Sequence, residues 1–103
     1  EPMCPGAAVL PIVLNTAHLT ESFGVQCEIH STVYLLLDLV NLHCCAAVQN
    51  CRFVEMLVPR QLFDFGLAQT IAIEEGLAKL PDAPGLTLDW GLIDDATFAI
   101  LLL

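Results

Sequence analysis

Two side chains in this sequence have the type and spacing for acid–base chemistry. His30 closes the strand-like run Val25–Ile29, and Glu55 lies in a second run, Arg52–Leu57. They stand 25 residues apart, the length of one strand-plus-helix repeat. A strand, a helix and a strand with short connections form a βαβ unit with parallel strands and a right-handed crossover. The C-terminal ends of both strands then share one side. The spacing puts an imidazole and a carboxylate on one rim, and in α/β barrels that rim carries the active site. Histidine titrates near neutrality, so it serves as both base and acid there. The bland alternative is a strand-end histidine bonded to a loop beside a solvated carboxylate.

Other polar side chains suggest less. Glu28 is one position from Ile29 and faces the opposite way, as a solvent-facing or helix-packed acid. His43 is expected to pack within a helix and His18 to be exposed. Glu74 and Glu75 read as a solvated turn. The five cysteines, Cys4, Cys27, Cys44, Cys45 and Cys51, are odd in number and irregularly spaced. Neither a CxxC pair nor a finger pattern occurs. Cys44 and Cys45 fall in an apolar helical run and read as small buried hydrophobes in a reducing compartment. A metal site from His43, Cys44, Cys45 and Cys51 is disfavoured, because adjacent helical residues point in different directions.

The elements that would position these groups follow from pattern. Residues 1–11 hold three prolines and a glycine, and are expected to be an irregular N-terminal segment. Residues 12–59 read as an αβαβ unit: a helix over Ile12–Phe23 stopped by Gly24, the first strand, a helix capped by Ser31 or Thr32 and running to about Val48, a turn at Gln49–Asn50, and the second strand closed by Pro59. That second helix is apolar nearly all round, apart from Asp38, Asn41 and His43, so burial on most sides is expected. Residues 60–103 read as a C-terminal segment. It has a loop or turn at Arg60–Phe65, a weak strand over Gly66–Ile73, a turn at Glu74-Glu75-Gly76 and a strand at Leu77–Leu80. A rigid Pro81–Gly85 loop and a short helix near Asp94–Ile100 complete it. The fold class is α/β.

Composition bounds the function. The chain has 103 residues, 56% hydrophobic and 15% charged, with a net charge of −9. One domain is the limit at that length. Arg52, Arg60 and Lys79 make no basic footprint, so nucleic-acid binding is excluded and an anionic membrane surface disfavoured. The longest apolar run, Val33–Val40, contains Asp38 and is too short to span a bilayer. No signal-peptide pattern opens the chain, which fits a cytoplasmic protein. The start at Glu1 suggests a processed product, a trimmed piece or an excised fragment. So apolar a chain is expected to self-associate or to belong to a larger body.

Four motifs in order then resemble one family. Glu21-Ser22-Phe23-Gly24-Val25-Gln26-Cys27-Glu28-Ile29-His30 resembles the approach to the seventh barrel strand of mandelate racemase-like enzymes of the enolase superfamily, where a helix ends in "AFG" and a strand ends in the catalytic histidine. Asn41–Cys51 is similar to that family's next helix, "HLHLAAAIPNC". Phe53-Val54-Glu55 looks like its eighth strand. Gly76-Leu77 and Leu80–Leu86 resemble its terminal "dGyv-x-x-PdgPGLG" segment. The resemblance implies the C-terminal βαβ portion of a (β/α)8-type barrel plus an irregular C-terminal segment. It also implies abstraction of a proton alpha to a carboxylate, with Mg²⁺ stabilising the enediolate, on an acid-sugar or other carboxylate substrate. His30 would be the general acid/base, and Glu55 would hydrogen-bond the substrate carboxylate or the developing enolate.

The sequence also departs from that family. The three acidic metal ligands and the Lys-x-Lys pair have no counterpart, and the sole lysine is Lys79. The aspartate that partners the family's histidine, roughly one repeat earlier, falls here at Met3. Glu1-Pro2-Met3 resembles instead the "EEPM" after an earlier metal-ligand strand. Thr87 stands where the family has a glycine. No Mg²⁺ ligand set is therefore encoded in these residues. Two expectations follow: part of an acid-sugar dehydratase, racemase or cycloisomerase, inactive alone, or a non-catalytic self-associating α/β module or remnant.

Overall fold

A computed structural model describes residues 5–30, 36–86 and 88–101. Helix α1 spans Pro5–Ser22, α2 Leu36–Ala47, α3 Arg60–Phe63 and α4 Trp90–Leu101, with strands β1 at Ala72–Glu74 and β2 at Leu77–Lys79. The mixture of helix and strand fits the α/β class. The proposed caps Ser31 and Thr32, the Met3 position and Thr87 lie outside the described residues.

The irregular segment expected over residues 1–11 is corrected from Pro5 onward, where α1 begins. Proline suits the first helical position, because its missing N–H would have had no intrahelical partner. Pro11 sits inside α1 and forfeits one backbone bond, to the Ala7 carbonyl, while Ala7, Ala8 and Leu10 favour helix around it. The other end matches expectation. Gly24 adopts φ 68°, Val25 N–H reaches Thr20 O at 3.0 Å and Gly24 N–H reaches Glu21 O at 2.9 Å. These two bonds form a Schellman motif, which requires a left-handed residue after the helix.

The two expected strands, Val25–Ile29 and Arg52–Leu57, form no ladder. The segments do run alongside one another, joined by Cys27 N–H to Asn50 O at 2.9 Å. The reason for the difference is chemical. A parallel ladder with the Val25–Ile29 segment would use one of the successive Arg52 and Phe53 amides, since neighbouring amides of a strand point to opposite edges. Here the Glu28 carboxylate takes both, at 3.2 Å from Arg52 N and 3.0 Å from Phe53 N.

The small core joins Leu39, Leu42 and Ile71, with Val54, Met56 and Ala78 packed against them. Side chains of an extended segment alternate. Val54 and Met56 therefore turn to the core, and Glu55 turns the other way. Asp38, Leu39, Leu42, Cys44 and Cys45 of α2 are buried and Leu36, Val40 and Asn41 half-buried, while Leu37, His43, Ala46 and Ala47 are exposed. Burial thus extends around most of the helix, as expected, but His43 is corrected from packed to exposed. Asp38 is held by Arg60, whose Nη1 lies 3.3 Å from Asp38 Oδ2 and whose Nη2 pairs with Asp64, tying α2 to α3. A buried carboxylate needs such a partner.

The C-terminal segment is a hairpin and a helix. β1 and β2 pair antiparallel, Ile73 opposite Ala78. Glu75 and Gly76, at φ 53° and 79°, are successive left-handed residues, as a type I′ turn demands. The expected turn and second strand are both present. The weak strand over Gly66–Ile73 reduces to β1 and a single bridge, Leu67 to Leu88. Helix α4 begins earlier than expected because Asp89 caps it, with its Oδ1 3.0 Å from Leu92 N.

Candidate functional site

His30 and Glu55 come together. Imidazole Nδ1 lies 2.5 Å from Glu55 Oε2, with side-chain exposures of 72% and 48%. The pairing follows from register. Cys27 meets Asn50, Glu28 meets Arg52 and Phe53, and His30 meets Glu55, all at nearly constant offset. Residues 27–30 alternate in burial, with Cys27 and Ile29 half-buried and Glu28 and His30 exposed. Glu28, His30 and Glu55 thus share the face away from the core.

That face carries an open cavity of about 300 Å³ lined by Glu28, Ile29, His30, Phe53, Val54 and Glu55. Glu28 is exposed, as the solvent-facing reading expected, and it also has a structural task there. The Phe53 amide is the main influence holding the Glu28 carboxyl below its ordinary pKa, and it outweighs burial; the Cys51 thiol and the Arg52 amide act in the same direction. The Cys51 thiol donates to Glu28 Oε2 at 3.4 Å. Hydrogen bonds to the charged form are what lower a carboxyl's pKa.

The site is fixed from behind by Asn50. Its Nδ2 donates to Ala17 O at 2.9 Å, to Thr20 Oγ1 at 3.0 Å and to Val25 O at 3.0 Å. One buried amide thereby anchors the end of α1 and the start of the His30 segment to the start of the Glu55 segment. The sequence suggested a turn at Gln49–Asn50, but no sequence signal pointed to this side chain's reach across the fold. Cys44 and Cys45 are buried, as expected of small hydrophobes. Burial raises the Cys44 thiol. It also leads the causes that push Cys45 up to about 12, followed by the Cys51 and Cys44 thiols and the Glu28 carboxylate.

Chemically, an imidazole beside a carboxylate can act as a general base when its other ring nitrogen carries the lone pair. Among the described residues no group of three or more His, Cys, Asp or Glu side chains converges as a metal site. None of the described helices is long and apolar enough to cross a membrane.

The family profile described as "Enolase C-terminal domain-like" matches residues 12–92. No curated protein and no solved structure matches the chain significantly.

Proposed function

The chain belongs to the enolase C-terminal domain-like family, and from that membership we propose that it is the part of an enolase-superfamily barrel that carries the acid–base histidine. The carrying observation is the meeting of His30 and Glu55 at 2.5 Å within the matched residues. The reaction is removal of a proton alpha to a carboxylate, as in acid-sugar dehydratases, racemases or cycloisomerases, with His30 Nε2 receiving the proton. The segments ending in His30 and Glu55 correspond to the seventh and eighth strands of the barrel.

Magnesium is what the family resemblance implies, and the residues described here do not fit it. A hard divalent cation asks for several converging oxygens. Glu28 is already committed to two amides and Glu55 to His30. No step is therefore routed through the metal from these residues. The ligands would come from other strands of a longer chain, and activity would need them.

The test is α-proton exchange on acid sugars in deuterated buffer with Mg²⁺, using the complete gene product and its His30→Asn variant. Exchange that drops by two orders of magnitude or more in the variant supports the role; equal rates remove His30 from the mechanism.

A second reading, a non-catalytic module that persists by self-association, is favoured by the exposure of large apolar side chains: Phe23 at 76%, Phe53 at 74% and Val58 at 78%. Such surface is normally covered. Sedimentation decides it, because a stable monomer at high concentration removes this reading.

A further inference from the structure

We propose that Cys45 and Cys51 form a thiol–disulfide site: a low-molecular-weight disulfide oxidises the pair to an intramolecular bridge that joins the end of α2 to the start of the segment carrying Glu55. The acid–base reading gives neither thiol a task, and the site stands whether or not His30 is the base.

The packing of α2 brings the pair together. Leu39, Leu42 and Cys45 recur every three residues and are all buried, so they lie on one face of the helix. Val54 and Met56 pack against the cluster that contains Leu39 and Leu42. The chain therefore turns after Ala47 and runs back along that face. Cys51, the first residue past the turn, arrives beside the last turn of α2, where Cys45 sits. Asn50 fixes the turn through its bonds to Ala17, Thr20 and Val25. A side-chain hydrogen bond with Cys51 is among the influences that hold Cys45 protonated, whereas Cys44 acts on it through charge alone. The Cys51 S–H itself donates to Glu28 Oε2 at 3.4 Å, so within the pair Cys45 is the donor and the Cys51 sulfur the acceptor.

Access sets the order of the chemistry. Cys51 is half-buried, while Cys44 and Cys45 are buried, so Cys51 is the thiol that an external disulfide meets first. Its thiolate attacks one sulfur of the reagent, the reagent's S–S bond breaks, and a mixed disulfide and one small thiolate result. The Cys45 thiolate then attacks the Cys51 sulfur, forms the Cys45–Cys51 bond and expels the second small thiolate. Each small thiolate takes up the proton that the attacking cysteine gave up. Two electrons pass from the protein thiols to the reagent, which leaves as two thiols. The Cys45 proton is held up to about 12, so the second step is the slower. The bridge removes the S–H that Glu28 accepts and leaves that carboxylate to the Arg52 and Phe53 amides.

The experiment uses the 103-residue chain, reduced and then treated in native buffer with excess bis(2-hydroxyethyl) disulfide. This probe is neutral, so the chain's net charge of −9 does not repel it. Remaining thiols are alkylated with iodoacetamide in denaturant. One portion is then reduced and its newly freed thiols are capped with N-ethylmaleimide; the other stays unreduced. A glutamate-specific protease separates Cys4 and Cys27 from the 29–55 peptide, which holds Cys44, Cys45 and Cys51. In the unreduced portion the 29–55 peptide should be lighter by two hydrogen atoms and carry no group from the probe. In the reduced portion N-ethylmaleimide should mark Cys45 and Cys51, and carbamidomethyl Cys44. Cys45→Ser should stop at the mixed disulfide on Cys51, and Cys44→Ser should still close the bridge. A wild-type 29–55 peptide that stays reduced, keeps only the mixed disulfide or is bridged to the Cys27 peptide overturns the proposal whether or not the variants fold. So does N-ethylmaleimide at Cys44 in place of Cys45.

Discussion

Replacing Asn50 by aspartate changes little in shape and reverses what the side chain can do. Asn50 is 6% exposed, and its Nδ2 faces three acceptors, Ala17 O, Thr20 Oγ1 and Val25 O. An amide has two N–H bonds, so this cluster amounts to two full hydrogen bonds with one of them shared. At roughly 0.5–1.5 kcal/mol net for each, their loss costs about 1–3 kcal/mol. Asn50 Oδ1 is buried without a partner, so Asn50→Ala also removes an unsatisfied acceptor, and its net effect should fall near the lower end, about 1 kcal/mol. Asn50→Asp loses the same bonds and presses a carboxylate against two carbonyl oxygens. The added cost of a buried, unpaired acceptor brings the loss to about 3 kcal/mol or more. For a domain of this size that lowers Tm by roughly 12–24 °C. Thermal unfolding followed by circular dichroism at pH 7 is the assay. Burial would raise the pKa of the introduced carboxyl, and its protonated form can donate again. The deficit should therefore shrink as pH falls. If Asn50→Asp is no worse than Asn50→Ala at pH 7, the amide is not acting as a donor to these carbonyls and the anchoring role is refuted.

Other consequences are more local. The Glu28 pKa is lowered in the folded chain, so its contribution is present above the unfolded value and is lost as pH falls through the folded one. Glu28→Gln should flatten the acid side of a urea-midpoint profile taken from pH 6 to 3, and an unchanged profile would contradict the clamp. Cys45 is pushed up to about 12, so the folded thiol stays protonated where an unfolded one ionises, and stability should decline as pH rises above about 8.5. Alkylation with iodoacetamide at pH 8 should correspondingly reach Cys51 well before Cys44 and Cys45. Leu42→Ala, at a position 3% exposed, should cost about 2 kcal/mol, the low end for a core leucine because the surrounding cluster is small and able to relax. Chemical denaturation would show this as a lower midpoint at unchanged slope.

Parts of the fold were legible where the signals are local. Glu75-Gly76 dictates a tight turn whatever surrounds it, and Gly24 ends a helix by its own backbone freedom. The burial of Cys44 and Cys45 followed from their place in an apolar run. The meeting of His30 and Glu55 was also legible, since alternation and one repeat of spacing suffice to place two residues on one face. What failed depended on side chains acting at a distance. Residues 25–29 and 52–57 have strand composition, but the Glu28 carboxylate takes the Arg52 and Phe53 amides, one of which a ladder would use. Asn50 looked like a turn residue, and its three acceptors lie 25–33 residues away. Pro5 and Pro11 suggested irregularity because prolines break helices on average, whereas here one opens α1 and the other costs it a single bond.

The β1–β2 hairpin differs from the rest in how it can form. Its pairs are at most seven residues apart, Ala72 opposite Lys79, and a hairpin of that reach closes within about 1–10 μs. The Asn50 contacts with Ala17 and Thr20 bridge 33 and 30 residues, and such long closures carry a larger entropy cost before any bond forms. The hairpin is therefore set to appear early and to offer Ala78 as a ready surface for Leu39, Leu42 and Ile71. The face that carries His30 and Glu55 would assemble late, once α1 has docked, and the order of assembly would run from the C-terminal segment toward the candidate site.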